Sequence, residues 1–121
     1  VNGVFLSLTL GRPSSKVGEG VLTPPTVAPV LTVSADFGSY DAVLQWTASD
    51  KTSSAGFGYN IYRSIDGIGP TLIATVGAVL TYTDNNPGAA GELYEYFVTP
   101  KNNAGEGPSS NTASVILPGG I

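Results

Sequence analysis

Between residues 30 and 117 the sequence breaks into seven short runs of alternating apolar and polar residues, each closed by turn-forming Gly, Pro, Asn, Asp or Ser. The runs cover residues 30–35, 42–48, 57–64, 71–76, 80–83, 93–101 and 111–117. A period of two sends successive side chains to opposite faces of a strand, so each run buries one face only by laying it against a second sheet. No stretch repeats apolar residues at the three-and-four spacing of a helix. The expectation is therefore an all-β chain, a seven-stranded antiparallel β-sandwich.

The parity of each run says which side is core. In the second, Val43, Gln45 and Thr47 oppose Leu44, Trp46 and Ala48. The Trp46 side is the buried one, because Leu44 and Trp46 supply the larger apolar area. In the third, Tyr59, Ile61 and Arg63 oppose Gly58, Asn60 and Tyr62. The expected core residues are Leu44, Trp46, Ile61, Tyr94, Tyr96 and Val98.

A chain of 121 residues is of a size for one core, burying roughly two-thirds of the surface it exposes when unfolded. Cysteine is absent, which excludes disulfides, cysteine-ligated metal and thiol chemistry. The net charge is −4, and the five basic residues, Arg12, Lys16, Lys51, Arg63 and Lys101, are scattered singly. No basic footprint exists to neutralise a phosphate backbone, so nucleic acid is not an expected partner. No apolar stretch approaches the ~20 residues of a membrane-spanning helix, and no membrane insertion is expected. The chain opens on Val1, not Met, and is expected to be a processed product or a fragment of something longer.

Before the runs lies a different kind of sequence. Residues 3–10 alternate as a strand, with Val4, Leu6, Leu8 and Leu10 on one side and Phe5, Ser7 and Thr9 on the other. Residues 11–28 then carry Pro13, Pro24, Pro25 and several glycines with little periodicity, the composition of an extended linker. The expected organisation is an arm and linker over 1–28, a sandwich over 29–118 and a short tail over 119–121. Val4, Phe5, Leu6, Leu8 and Leu10 are too apolar to stand free in water, and a lone strand has unpaired edges. The arm is expected to dock by strand addition on a protein partner or a neighbouring domain; the alternative is a strand added to the chain's own sandwich.

The order Pro29-Val30-Leu31, Val43-Leu44-Gln45-Trp46, Tyr59-Asn60-Ile61-Tyr62-Arg63 and Tyr82-Thr83-Asp84 resembles the fibronectin type III family. So does Tyr94-Glu95-Tyr96-Phe97-Val98-Thr99-Pro100-Lys101-Asn102, followed by Asn103-Ala104-Gly105-Glu106-Gly107-Pro108-Ser109. The resemblance spans residues 29–117 and is closest to the bacterial and phage branch. It implies that Trp46 fills the centre between two sheets and that Tyr94 is a tyrosine corner, its hydroxyl bonded back to the preceding loop. Pro100 departs from the family pattern. It removes a ladder donor, so either its position has no partner to serve or the strand bulges there.

Catalysis is hard to build from these residues. Histidine and cysteine are both zero, leaving no base tuned near neutral pH and no partner for Ser53, Ser54 or Ser64. Asp36, Asp41, Asp50, Asp66 and Asp84 fall at strand ends and loops, where aspartate caps local backbone groups. Asp84-Asn85-Asn86 offers oxygens to a calcium ion but reads better as a turn, since such a site needs six or more converging oxygens. No cofactor and no metal are expected. Tyr40 and Tyr62 are the candidates for a binding face, for a cell-surface glycan or a protein, because aromatics near loops stack on sugars or anchor interfaces. The plain alternative is that they only cover neighbouring strands. The family's Arg-Gly-Asp tripeptide does not occur in the sequence.

The functional expectation is a non-enzymatic structural or adhesive module, located extracellularly or on a virion surface. It would decorate a phage capsid or tail, or a bacterial surface fibre, anchored through its arm. The alternative is an accessory spacer or carbohydrate-binding module of a secreted polysaccharide-degrading enzyme.

Overall fold

A computed structural model describes residues 21–36, 38–39, 41–85 and 92–116. The arm residues Val4, Phe5, Leu6, Leu8 and Leu10, together with Tyr40, lie outside them. Eight strands follow in order: β1 (Leu31–Asp36), β2 (Asp41–Trp46), β3 (Gly58–Ile65), β4 (Ile68–Val76), β5 (Thr81–Asp84), β6 (Leu93–Asn102), β7 (Gly105–Glu106) and β8 (Ala113–Ile116). They form two antiparallel sheets, one ordered β1-β2-β5 and the other β4-β3-β6, with β7 and β8 both pairing on the far side of β6. The two sheets close on one apolar core, which is the all-β sandwich that the alternation predicts.

Eight strands stand where seven are expected because the last run begins earlier and is cut in two. Asn102 and Gly105 pair across a tight turn in which the Asn102 side-chain oxygen accepts from the Ala104 N–H at 2.8 Å. After Gly107, Pro108 interrupts the ladder, since proline has no donor, and regular pairing with β6 resumes at Ala113.

The core is the meeting of two parities. Leu31, Ala42, Leu44 and Trp46 point inward from the smaller sheet, and Tyr59, Ile61, Tyr94, Tyr96 and Val98 from the larger. Trp46 meets Tyr59 edge-on, with ring centroids 5.5 Å apart at 61°, and Phe57 also meets Tyr59 edge-on, at 5.2 Å and 80°. Edge-to-face contacts of this kind add about 0.5–1.5 kcal/mol beyond area burial. The Tyr59 hydroxyl at the rim accepts from the Ser49 N–H at 3.0 Å, so its polar end is satisfied. The Trp46 indole N–H is buried with no hydrogen-bond partner among the described residues.

Pro100 is fully buried in β6 without a bulge on its β3 side, where the register runs unbroken from Gly58↔Lys101 to Ile65↔Tyr94. Its carbonyl faces the other way and accepts from the Gly107 N–H at 2.7 Å. Two residues earlier, Val98 accepts from the Ser110 N–H at 2.8 Å and donates to the Ser110 hydroxyl at 2.9 Å. The donor that proline lacks therefore falls in the break between β7 and β8, where no regular strand runs opposite.

Residues 23–27, assigned above to the linker, pack along the sandwich. The Thr26 N–H donates to Asp50 Oδ1 at 2.7 Å, the Thr26 hydroxyl to Oδ2 at 2.5 Å, and the Val27 N–H to Oδ1 at 3.3 Å. The Ser49 hydroxyl donates to the Val27 carbonyl at 2.5 Å. Lys51 Nζ donates to the Pro24 carbonyl at 3.0 Å and to the Thr23 hydroxyl. From the other loop, the Asn102 amide donates to the Thr23 carbonyl at 2.9 Å. Pro25 is buried, and a Cβ on Gly107 would lie 2.3 Å from its carbonyl oxygen, so this strap passes the loop at a distance only glycine permits.

Candidate functional site

The outer face of the larger sheet collects the polar and aromatic side chains that the core rejects. With Tyr59 and Ile61 turned inward, Asn60 and Tyr62 of β3 face out, and so do Phe97 and Thr99 of β6. Tyr62 and Phe97 are register partners, and their rings stack at 4.7 Å and 10°. Beside them Glu106 gathers three donors on one oxygen. Its Oε2 accepts from Tyr62 OH at 2.6 Å, Thr99 Oγ1 at 2.6 Å and Asn60 Nδ2 at 2.8 Å. Thr75 of β4 extends the row by donating to Asn60 Oδ1 at 2.7 Å.

These bonds fix the protonation states. Hydrogen bonds from Asn60, Thr99 and Tyr62 hold the Glu106 carboxyl below the ordinary carboxylate range. The same Glu106 bond is the main cause that raises the Tyr62 phenol above its usual value, with burial second. Near neutral pH neither group gains or loses a proton. Tyr62 has one ring face against Phe97 and its hydroxyl on Glu106, and its register partner on the other side is the exposed Leu72. Tyr62 is thus part of a cross-strand cluster.

A second constellation lies between the sheets. Arg63 of β3 and Asp84 of β5 form an ion pair at 2.9 Å, and Tyr96 OH donates to Asp84 Oδ2 at 2.7 Å. Burial first, and the bond to Asp84 second, push the Tyr96 phenol strongly upward, so it stays a donor. Asp84 is 4% exposed. Beyond the capping expected at a strand end, the Asp84 carboxylate turns inward to meet Arg63 and Tyr96. A cavity of about 330 Å³ opens beside the pair, lined by Arg63, Ile65, Asp66, Ile68, Thr71 and Glu92.

The other expected residues are placed individually. Leu44, Trp46, Ile61, Tyr94, Tyr96 and Val98 are all buried. The Tyr94 hydroxyl donates to Glu92 Oε1 at 3.4 Å, and burial raises its phenol above the ordinary value. The loop that a tyrosine corner would bind falls at residues 86–91, outside the described residues. Asp36 caps the Gly38 N–H at 3.0 Å as a local turn, whereas Asp50 serves the strap. Hydrogen bonds led by that of the Thr26 hydroxyl hold the Asp50 carboxyl down at about 2.

Glu106, Phe97 and the Arg63–Asp84 pair were not singled out from the sequence. A signal did exist for Arg63, which shares the parity of Tyr59 and Ile61 and so falls on the core side, where a charge needs a partner. Among the described residues no group of three or more His, Cys, Asp or Glu is placed to hold a metal, and no helix is long and apolar enough to cross a membrane.

No family model matches the sequence, and no curated protein matches it. Solved structures do. A Fn3-like protein from Clostridium thermocellum is 30% identical over 82% of this chain and 96% of its own, with a TM-score of 0.57. An FN3tt mutant is 25% identical over 78% of this chain and 97% of its own, with a TM-score of 0.61. A beta-1,2-glucanase from Parabacteroides distasonis is 28% identical over 82% of this chain but only 14% of its own, with a TM-score of 0.63.

Proposed function

This chain belongs to the fibronectin type III-like domains, and on that premise we propose that it is a non-catalytic structural module of an extracellular assembly, a spacer in a virion or a bacterial surface fibre. The observation that carries the reading is where the chain comes in and goes out. The strap is held at the Asn102 end of β6, while Ile116 of β8 pairs with Leu93 at the other end. β6 is ten residues long, which sets these two ends ~30 Å apart. Segments attached at either end are then kept apart by a sandwich that the strap makes stiff at its N-terminal side. The sequence, with no histidine and no cysteine, supports the non-catalytic part.

The test is copurification and stoichiometry. Particles or surface fibres from the source cell, washed at high salt, should retain this chain at a fixed ratio to the main structural protein. A chain recovered only as free soluble protein would sink the assembly reading.

The similarity to part of a beta-1,2-glucanase favours a second reading, an accessory module of a polysaccharide-degrading enzyme. Electrophoresis through gels cast with β-glucan separates the two. A spacer migrates unchanged, whereas a carbohydrate-binding module is retarded, and the retardation should then be lost on Tyr62→Ala.

A further inference from the structure

The larger sheet ends on β4, and among the described residues only β3 pairs with it. This edge is unusually apolar. From Gly67 to Thr83 the sequence has no charged residue, and Ile68 is 80% and Leu72 49% exposed. Long apolar edges are normally blunted by charge or proline, because they template the pairing of another strand. Here Pro70 guards the first part and a register shift falls at Ile73, but from Thr71 to Val76 the edge carries neither charge nor proline. The core is also incompletely closed at this seam. Ile73 and Val76 pack against it yet are only half-buried, and the cavity beside Arg63 is lined in part by Ile68 and Thr71 of the same strand.

We infer that residues 3–10 of this same chain pair with the open edge of β4 and complete the larger sheet. The two surfaces match in chemistry. Residues 1–11 are also free of charge, and their strand alternation supplies one apolar side, Val4, Leu6, Leu8 and Leu10, and one mixed side, Phe5, Ser7 and Thr9. Added to β4, the apolar side extends the core face over the half-closed seam. The mixed side extends the outer face beside Leu72 and Tyr62.

The connection is long enough and short enough. The strap holds the chain at Thr23, close to the Val76 end of β4, since Val76 pairs with Tyr59 next to the Gly58↔Lys101 pair. Residues 11–22 reach ~40 Å when extended, more than the ~30 Å length of the nine-residue β4. The arm can therefore run antiparallel to β4, which keeps residue 3 at the N-terminal end of the sandwich. A tether of this length gives an effective concentration in the millimolar range. At micromolar protein the chain's own edge is reached before that of a second copy.

The absence of cysteine makes a disulfide test clean. In the full chain, Ser7→Cys is combined separately with Leu72→Cys, with Thr75→Cys, and with Thr32→Cys on the exposed face of β1 as control. Mild oxidation is expected to give an intramolecular disulfide in a monomer for at least one of the β4 pairs and none for the control. The proposal is overturned if neither β4 pair crosslinks faster than the control, or if the crosslink forms only in covalent dimers, which would seat the arm on a second copy. Hydrogen exchange gives an independent readout in the chain without cysteines. The segment covering β4 should exchange at least tenfold faster in Leu6→Pro/Leu8→Pro, with β2 and β6 unchanged. Equal exchange of β4 in both proteins would overturn the inference as well.

Discussion

The carboxylate of Asp84 in β5 lies 2.9 Å from the guanidinium of Arg63 in β3, so an ion pair bridges the two sheets of the sandwich. Both side chains sit mostly out of water, at 5% and 16% exposure. Removing one partner leaves the other charged and desolvated. Asp84→Ala should therefore cost about 3–5 kcal/mol, whereas the paired apolar replacement Arg63→Met/Asp84→Leu should cost much less. Guanidinium unfolding followed by Trp46 fluorescence measures both. A loss for Asp84→Ala within the range of exposed pairs, about 1 kcal/mol or less, would contradict the bridging role.

Tyr96 donates to the same carboxylate, which predicts an alkaline weakness. Its folded-state phenol is raised above the ordinary value of 10.0. The stabilisation is therefore complete below that value and declines as pH rises above it, because the unfolded chain ionises first. Phenolate absorbance should show Tyr96 titrating only together with unfolding. Tyr96→Phe should cost about 1.5–3 kcal/mol at neutral pH, the worth of a hydrogen bond to a charged group, and should flatten the alkaline decline. A Tyr96 that ionises reversibly in the folded protein would disprove this.

Acid should act on the strap. The Asp50 carboxyl is depressed from 3.8 to about 2. Its contribution is thus present above 3.8 and is lost as pH falls through the lower value. The amide resonances of Thr26 and Val27 should shift over that window, and Asp50→Asn should produce the released positions already at neutral pH. Unmoved resonances in the variant would show that other contacts alone hold the strap.

Two glycines near the Val76 end of β4, Gly58 in β3 and Gly77 just after β4, should behave differently. A Cβ at Gly58 would stand 2.2 Å from the Val76 carbonyl oxygen, while at Gly77 nothing lies within 4 Å. Gly58→Ala must push two strands apart and should cost about 1–3 kcal/mol, as overpacking does. Gly77→Ala should stay within about 0.5 kcal/mol of the parent, a typical surface change. Equal thermal midpoints for the two variants would argue against the close approach of Gly58 to β4.

The sandwich could be read from the sequence because period-two alternation is a local property. Leu44 and Trp46 share a parity, and so do Tyr94, Tyr96 and Val98, so each face follows without knowledge of any partner. What escaped reading depends on distant pairs. Asp84 stands in an Asp-Asn-Asn-Pro-Gly string with every appearance of a turn cap, and its inward turn depends on an arginine in another sheet. Glu106 becomes a hub only when the registers of β3, β6 and β7 bring Asn60, Tyr62 and Thr99 to one oxygen. The prolines at 24 and 25 announce an extended segment but not the surface it lies on, which is supplied by Asp50, Lys51 and Asn102.

Because the strap crosses both loops around Asp50 and Asn102, the N-terminal end of the sandwich is roofed by the chain's own backbone. Grafting new recognition sequences into those loops, as one would on a bare scaffold, would first sever the roof's own fastenings at Ser49, Asp50, Lys51 and Asn102. Variation introduced on the outer face of the larger sheet would leave those fastenings in place.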